Sequence, residues 1–310
     1  MRILFMGTPD FAKVCLEGLV RAGEEIVGVV TQPDRPKGRG YNLVPPPVKV
    51  YAEEQGFPVY QPLTLKDEAF AELLRELDPE LIAVVAYGRI LPKSVLDYPR
   101  YGCVNVHSSL LPLYRGAAPM QRAIMDGRAE TGITTMYMAE GLDTGDILEM
   151  LRTPIGENDN FEDIHDRLAE MGAELLPHTV KALEMGTITP TPQDDSLSCY
   201  AEKINKEDCL IDFNKSARDI HNQIRGISPI PLAFTTLNGK MLKVVSSRVI
   251  RGDGAGEAGK VIDLSDGSIH VACGEGVIAL TAVRPEGKGT MNAADFIRGR
   301  KVAVGDLLGK

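Results

Sequence analysis

Residues 1–32 read MRILFMGTPDFAKVCLEGLVRAGEEIVGVVTQ, and this stretch decides the fold. An apolar run over 2–7 ends at a glycine, which predicts a short buried strand. Apolar residues then recur at helical spacing over 11–22, and Gly23 follows the last of them, which predicts a helix and its end. A second β-rich run covers 25–32. The order strand, helix, strand is typical of a parallel sheet.

The alternation of strands and helices continues along the chain. Amphipathic patterns predict helices over 48–56 and 67–77, and apolar runs predict strands over 81–88 and 102–107. The runs IVGVV and LIAVV are continuously apolar, as expected for parallel strands that are buried on both faces. We therefore predict an α/β fold with a doubly wound, mostly parallel sheet.

The last third of the chain has a different pattern. A helix over 162–185 ends the predicted first domain, residues 1–188, and residues 189–206 are rich in Thr, Pro, Asp and Ser, which is typical of a linker. Residues 207–310 contain short β-rich segments separated by Gly, Asp and Asn, and this pattern predicts a smaller antiparallel β-barrel domain. The strand candidates are 240–250, 258–263, 268–273 and 276–284.

Composition excludes several classes of protein. The hydrophobic share of 44% excludes a disordered chain, and no apolar stretch approaches the roughly 18 residues that a membrane helix needs. The five cysteines include no Cys-x-x-Cys pair, so neither a disulfide framework nor a zinc knuckle is expected. We expect a cytoplasmic protein without a membrane partner, and a monomer, because no heptad or large apolar surface pattern is present.

Polar residues follow one predicted strand to its carboxyl end. Within 102–107, GCVNVH, the period of two places Cys103, Asn105 and His107 on one face, with Asn105 and His107 about 6.5–7 Å apart. Open α/β sheets bind their ligands at the carboxyl ends of strands. A lone histidine is more often structural than catalytic, so it is the pairing with Asn105 that favours a site here.

A carboxylate completes the candidate site. Asp143 lies in the turn-rich segment EGLDTGDIL, and beside His107 it would orient the ring and support its protonated form. An amide, an imidazole and a carboxylate suit acyl-type transfer through a tetrahedral intermediate, with Asn105 and His107 facing the oxyanion. No G-x-S-x-G motif is present, so direct transfer without an acyl-enzyme is expected. His107 and Asp143 could instead bind a metal, but no ligand cluster accompanies them, so none is expected.

The loop over 31–48, TQPDRPKGRGYNLVPPPV, is long for a compact α/β fold and carries Arg35, Lys37 and Arg39. Two interpretations stay open. The loop is either a solvated surface segment or a basic segment that becomes ordered on a phosphate-bearing partner.

Several motifs together point to one family. They are FMGTPDFA, VVTQPDRPKGRG, VVAYGRILP, NVHSSLLP, YRGAAP, TGITTMYMAEGLDTGDI, YAEKI and IRGISPIP, and they span nearly the whole chain. On these motifs the chain resembles the folate-dependent formyltransferases, and within them the branch that formylates initiator methionyl-tRNA. The signature NVHSSLLP with its later aspartate is shared by these enzymes generally. The basic loop and the second domain favour tRNA as the acceptor substrate.

The resemblance implies a reaction and a set of site residues. It implies transfer of the formyl group of 10-formyltetrahydrofolate to the amino group of methionyl-tRNA, by a Rossmann-like domain followed by an OB-like barrel that binds tRNA. Asn105, His107 and Asp143 would be the catalytic residues. The folate site would consist of Ser109, Leu110, Leu111, Pro112, Ile90, Leu91 and Pro92, and the tRNA contacts of Arg39, Arg35, Lys37, Lys203 and Lys206.

Three residues depart from the family's pattern. Ser108 stands where glycine is frequent, Leu113 where a basic residue is common, and Ile230 where tryptophan is usual. None of them belongs to the catalytic trio. The departures at Leu113 and Ile230 bear on the surroundings of the folate and on the second domain.

Other functions stay open at the level of sequence. A formyltransferase acting on an amino-sugar nucleotide or another small amine would use the same three residues. A glycinamide ribonucleotide enzyme would need only the first domain, so the presence of residues 207–310 counts against that acceptor. A folate-binding or RNA-binding protein without catalysis would not need Asn105, His107 and Asp143 together.

Net charge restricts how RNA could bind. The chain carries 34 Lys and Arg against 43 Asp and Glu, a net charge of −9, which excludes a protein that coats nucleic acid in general. Residues 207–310 carry 14 against 12, or +2, and residues 1–206 carry 20 against 31, or −11. The second domain and the basic loop are therefore compatible with one docked tRNA end.

Overall fold

The computed structural model describes residues 1–37, 42–250 and 256–309, and it divides into two compact units. The first unit consists of Met1–Gly116, Thr131–Thr153 and His165–Tyr200. The second consists of Ala117–Glu130, Pro154–Ile164 and Ala201–Lys310. The boundaries 1–188, 189–206 and 207–310 stay a prediction.

Strands and helices alternate through the first half of the chain, as the sequence predicts. The strands are β1 (Arg2–Gly7), β2 (Glu25–Val30), β3 (Arg35–Lys37), β4 (Asn42–Val44), β5 (Val59–Tyr60), β6 (Leu81–Val85), β7 (Cys103–His107), β8 (Arg115–Gly116), β9 (Glu130–Tyr137) and β10 (Ile147–Pro154). The helices are α1 (Asp10–Arg21), α2 (Pro47–Glu54), α3 (Glu68–Leu77), α4 (Lys93–Leu96), α5 (Pro119–Met125) and α6 (Phe161–Glu184).

Seven of these described strands form one sheet in the order β10-β9-β7-β6-β1-β2-β5. The pairs β1 with β2, β1 with β6, β2 with β5 and β6 with β7 are parallel, whereas β7 and β9 are antiparallel. The strand order reverses at β1, so the sheet is doubly wound, as predicted. Burial along β1 and β6 explains why their sequences are continuously apolar.

Helices cover the sheet closely. A Cβ atom at Gly18 of α1 would lie 2.2 Å from the carbonyl oxygen of Ala173 in α6, so only glycine lets these two helices approach this far. Leu4 and Met6 of β1 share a buried apolar cluster with Phe70 of α3. This packing leaves the carboxyl ends of the parallel strands to the loops, where the predicted site residues lie.

The loop over 31–48 contains a short hairpin that the sequence pattern does not predict. β3 and β4 pair antiparallel, with Arg35 opposite Val44 and Pro36 opposite Leu43. Proline is rare inside sheets because it cannot donate to the ladder, and it is tolerated in a two-stranded edge pair such as this one. Because the loop contains several prolines, its sequence does not predict the two strands of the hairpin.

The remaining described elements are mostly short strands. The strands are β11 (Tyr200–Ala201), β12 (Ala233–Leu237), β13 (Lys240–Ile250), β14 (Val261–Asp263), β15 (Ile269–Ala272), β16 (Val277–Pro285) and β17 (Met291–Asn292). The helices are α7 (Ala217–Gly226) and α8 (Ala293–Arg298). None of the helices described is long and apolar enough to cross a membrane.

The second unit contains the predicted antiparallel barrel. The strand path is β12-β13-β16-β15-β14, with β17 also paired to β16. Residues near the carboxyl terminus join the two edges of this path, because Leu308 bridges to Leu237 at the end of β12 and Leu307 bridges to Lys260 just before β14. The amide of Leu308 also donates to the carbonyl oxygen of Gly259 at 2.8 Å. The four strand candidates are confirmed, whereas β12 and the closing segment are additions.

Candidate active site

β7 lies between β6 and β9 and carries two of the predicted catalytic residues to its carboxyl end. Asn105 is half-buried opposite Met136 of β9, and the buried His107 lies opposite Thr134. The thiol of Cys103, on the same strand face, donates to the carbonyl oxygen of Val95 at 3.5 Å. The alternation along this strand therefore gives Asn105 and His107 a common face, as the sequence predicts.

His107 has its two ring nitrogens in different surroundings. Nε2 lies 2.9 Å from the carbonyl oxygen of Tyr114, and because a carbonyl only accepts, Nε2 is the donor. Nδ1 lies 3.7 Å from Oδ2 of Asp143, which is too long for a direct hydrogen bond. Nδ1 is therefore the nitrogen that faces the carboxylate, whereas Nε2 faces the backbone.

Asp143 reaches the site from a tight turn between β9 and β10. Its φ of +52° is left-handed, a conformation that is uncommon for a residue with a side chain. Its Oδ2 accepts a hydrogen bond from the amide of Gly116 at 2.9 Å, so the carboxylate has a fixed backbone partner. In the part of the chain described, no group of three His, Cys, Asp or Glu side chains could hold a metal ion.

Hydroxyl groups hold the loop that follows β7. The hydroxyl of Ser109 donates to the carbonyl oxygen of Leu113 at 2.6 Å, and that of Thr134 donates to the carbonyl oxygen of Ser109 at 2.7 Å. Thr134 also accepts from the amide of Leu111 at 3.3 Å. Ser109, Leu110 and Leu111 are buried and Pro112 is half-buried. Sequence reasoning missed Thr134, because its role depends on the register between β7 and β9.

The loop after β6 presents the large apolar side chain of Ile90 to solvent. Ile90 is 84% exposed, whereas the neighbouring Leu91 is buried and Pro92 is half-buried. An exposed aliphatic side chain at the ligand-binding edge of the sheet suits an apolar ring system. This segment is therefore chemically suited to pack against the flat face of a ring.

Five polar side chains form a second network at the same edge of the sheet, which we call the loop anchor: Gln32, Asp34, Lys49, Gln61 and Arg89. The ammonium of Lys49 donates to both carboxylate oxygens of Asp34 at 3.0 Å and to Oε1 of Gln61 at 3.1 Å. Nε2 of Gln61 donates to Asp34 at 2.8 Å, and Nε of Arg89 donates to Oε1 of Gln32 at 3.1 Å. Hydrogen bonds from Gln61 and then from Lys49 hold the pKa of Asp34 below its ordinary value.

The loop anchor contains a buried donor. Nε2 of Gln32 has no hydrogen-bond partner among the residues described, although the side chain is 7% exposed. A buried polar atom without a partner costs free energy, on the order of 1–3 kcal/mol. Because Gln32 follows β2 at the ligand-binding edge, this nitrogen is suited to donate to a substrate.

The residues predicted to contact tRNA fall into two groups. Arg35 is exposed in β3, and Lys37 ends the same strand, whereas Arg39 lies outside the described residues. Lys203 and Lys206 are exposed and belong to the second unit. All those whose side chains are described are therefore accessible to an anionic partner.

The chain matches known families over most of its length. Residues 1–180 match the formyl transferase family, and residues 203–301 match the formyl transferase C-terminal domain family. Methionyl-tRNA formyltransferase of Citrifermentans bemidjiense is 50% identical over 310 residues, which cover 100% of this chain and 97% of that protein. Methionyl-tRNA formyltransferase of Pelobacter propionicus is 52% identical over 307 residues, which cover 99% and 96%.

A solved structure shares the fold. The N-formyltransferase from Helicobacter canadensis, in complex with folinic acid and dTDP-3-aminofucose, aligns with a TM-score of 0.66 over 90% of this chain and 98% of that chain. The two sequences are 21% identical, so this likeness supports the architecture alone.

Proposed function

The chain belongs to the formyl transferase family, in its methionyl-tRNA formyltransferase branch, and we propose how its own residues carry out that reaction. It is an enzyme that transfers the formyl group of 10-formyltetrahydrofolate to the amino group of initiator methionyl-tRNA. The observation that carries this function is identity at about half of all positions, over the whole chain, with curated methionyl-tRNA formyltransferases. The alternative acceptor, an amino-sugar nucleotide, is not favoured.

Asn105, His107 and Asp143 are the proposed catalytic residues. The methionyl amine attacks the formyl carbon, and negative charge develops on the formyl oxygen. The side-chain amide of Asn105 and a proton on Nδ1 of His107 stabilise that charge, because fixed donors in a partly buried site need little reorganisation. Asp143 supports the protonated ring across 3.7 Å, and it is the carboxylate that can accept the proton lost by the amine. When the tetrahedral intermediate collapses, the bond between the formyl carbon and N10 of the folate breaks. N10 takes up the proton that the amine has lost, so tetrahydrofolate leaves and the formylated amine remains.

The folate is proposed to bind between two loops of the first unit. It supplies the formyl group that is transferred. Ile90, Leu91 and Pro92 contact its pterin ring, and the loop from Ser109 to Pro112 also lines the site. The exposed side chain of Ile90 supports this assignment, since the flat face of the pterin ring packed against it would remove it from water.

The tRNA is proposed to contact both units. Its acceptor end meets Arg35, Lys37 and Arg39 of the basic loop and Lys203 and Lys206 of the second unit, and the barrel binds the acceptor arm. The excess of positive charge over residues 207–310 supports this placement. A monomeric state and a cytoplasmic location stay predictions.

A formylation assay tests the function. The protein is incubated with 10-formyltetrahydrofolate and, in separate reactions, initiator methionyl-tRNA, elongator methionyl-tRNA or an amino-sugar nucleotide, and formyl transfer is followed. We expect transfer to the initiator methionyl-tRNA in strong preference to the other two. Transfer to the sugar nucleotide without transfer to the initiator would contradict the proposal.

A further inference from the structure

Gln193, in the segment that the sequence predicts as a linker, makes four hydrogen bonds at the candidate active site. Its Oε1 accepts from Nε of Arg115 at 3.0 Å and from Nη2 of the same guanidinium at 2.8 Å. Its Nε2 donates to the carbonyl oxygens of Asp143 at 2.9 Å and Gly145 at 2.7 Å. One half-buried side chain thereby joins two segments that are far apart in the sequence.

Both of these segments determine where the carboxylate of Asp143 lies. Arg115 is buried and directly precedes Gly116, whose amide donates to Oδ2 of Asp143. The turn at 143–145 carries the carboxylate itself, and a Cβ atom at Gly145 would lie 1.8 Å from the carbonyl oxygen of Tyr137, so the turn is pressed against the end of β9. Gln193 therefore connects the backbone that binds the carboxylate with the backbone that carries it.

The segment around Gln193 is itself fixed to the first unit on both sides. Thr191 and Ile147 exchange two backbone hydrogen bonds, of 2.8 and 2.9 Å. The carbonyl oxygen of Cys199 accepts from the amide of Arg115 at 3.0 Å. Residues 191–199 are thus part of the structure around the site rather than a free linker. The backbone on both sides of Gln193 is held by hydrogen bonds.

We propose that Gln193 is a positioning residue, which holds Asp143 at the distance from His107 that formyl transfer requires. The inference rests on the proposed function. An amide suits this role because it accepts from Arg115 with its oxygen and donates to the turn with its nitrogen, whereas a carboxylate could only accept. Asp195 also pairs with Arg115, at 2.8 Å, but it is 82% exposed. Exposed pairs of this kind contribute little.

Two variants separate this role from a general contribution to folding. Gln193→Glu keeps the acceptor for Arg115 but places a carboxylate oxygen against the carbonyl oxygens of the turn, and Gln193→Ala removes both halves of the contact. We expect kcat to fall about 10-fold to 100-fold, more in Gln193→Glu, as small displacements of catalytic groups commonly cause. KM for both substrates should stay within about twofold of wild type. The pH profile of kcat should shift, because the carboxylate no longer holds its distance from the imidazole.

The matched control is Gln55→Glu, at an exposed residue that follows α2, and we expect its kinetics to equal those of the wild type. An unchanged kcat and pH profile in Gln193→Glu would overturn the proposal. A parallel loss of kcat, substrate affinity and melting temperature would also overturn it, since that pattern indicates a general structural role.

A readout that does not depend on activity distinguishes this inference from the proposed function. The pH titration of the His107 ring is followed by NMR in the wild type and in Gln193→Glu, and assigned with His107→Asn. We expect the midpoint pH of the His107 titration to change in Gln193→Glu and to equal that of the wild type in Gln55→Glu. A superimposable His107 titration in all folded variants would contradict the positioning role, whichever acceptor the wild type formylates.

Discussion

The two polar networks at the carboxyl edge of the sheet are held in different ways. Around His107 the partners are backbone groups, namely the carbonyl oxygen of Tyr114 for the ring and the amide of Gly116 for Asp143. In the loop anchor several contacts join two side chains, as in those of Lys49 with Asp34 and of Arg89 with Gln32, although Arg89 also donates to backbone carbonyl oxygens. Long side chains lose more conformational entropy on being fixed than backbone already ordered by a fold. We therefore propose that the first network carries the chemistry and that the second forms adaptable binding loops.

The largest effect is expected in the network with backbone partners. His107→Asn removes the imidazole, and Asp143→Asn removes the carboxylate beside it while keeping an oxygen for the amide of Gly116. We expect kcat to fall about 10³-fold and about 10²-fold, respectively, in the range of general acid–base groups. Dissociation constants for both substrates, measured by fluorescence or calorimetry, should stay near those of the wild type. A folded His107→Asn with near-normal kcat would place the chemistry elsewhere.

A smaller effect, and of the opposite kind, is expected from the loop anchor. Arg89→Leu removes the bonds to Gln32 and to the carbonyl oxygens of Pro62 and Leu63, at 3.2 and 2.6 Å. We expect KM for 10-formyltetrahydrofolate to rise about 10-fold, as for the loss of a few partly exposed hydrogen bonds, with kcat within about threefold. Arg75→Leu, at an exposed arginine of α3, is the matched control. A fall of kcat in Arg89→Leu at constant KM would contradict the assignment of catalysis to one network and substrate binding to the other.

A weaker effect is expected at the base of the basic loop. Lys49→Met removes the ammonium beside Asp34, and we expect KM for the tRNA to rise about threefold, as for a partly exposed ion pair. Because the pKa of Asp34 is lowered from 3.8, its contribution to stability is present above that pH and lost as the pH falls through the lowered value. The difference in melting temperature between wild type and Lys49→Met should therefore be constant near neutral pH and shrink in acid. A difference that grows in acid would contradict this.

The smallest effect is expected from a thiol probe on the catalytic strand. Cys103 shares a strand face with Asn105, and burial raises its pKa to about 12. At pH 8 the thiolate fraction is then on the order of one in 10⁴. Iodoacetamide followed by mass spectrometry should label the less buried Cys199 first and leave Cys103 unmodified while the protein is folded. Equal labelling of the two would show that β7 opens readily.

Local patterns were sufficient for the sheet and for the catalytic strand. The period of two in GCVNVH predicts the common face of Asn105 and His107, and the continuous apolar runs predict the buried β2 and β6. These features follow from side-chain burial within a few consecutive residues. The assignment of roles to Ile90, Ser109 and the basic residues came from family resemblance instead, and it stays a proposal.

The parts that the sequence does not predict depend on contacts between distant residues. Gln193 lies 78 residues from Arg115 and 50 from Asp143, and nothing in the segment TPTPQDD indicates either partner. The position of Thr134 opposite His107 requires the strand register. Likewise, the carboxyl-terminal segment joins the barrel edges through single bridges at Leu307 and Leu308. Two bridged residues are too few to produce a periodic pattern in the sequence. Such contacts arise only when the chain is folded.

A double-mutant cycle tests most directly the claim that the two networks do separate work in one formyl transfer. The value of kcat/KM is measured for wild type, Asp143→Asn, Arg89→Leu and the double variant, with initiator methionyl-tRNA saturating. Because the two residues share none of the hydrogen-bond partners described, their effects should multiply, so that the double variant falls within about twofold of the product. A double variant no worse than Asp143→Asn alone would show that Arg89 acts through the catalytic trio, and it would contradict the account.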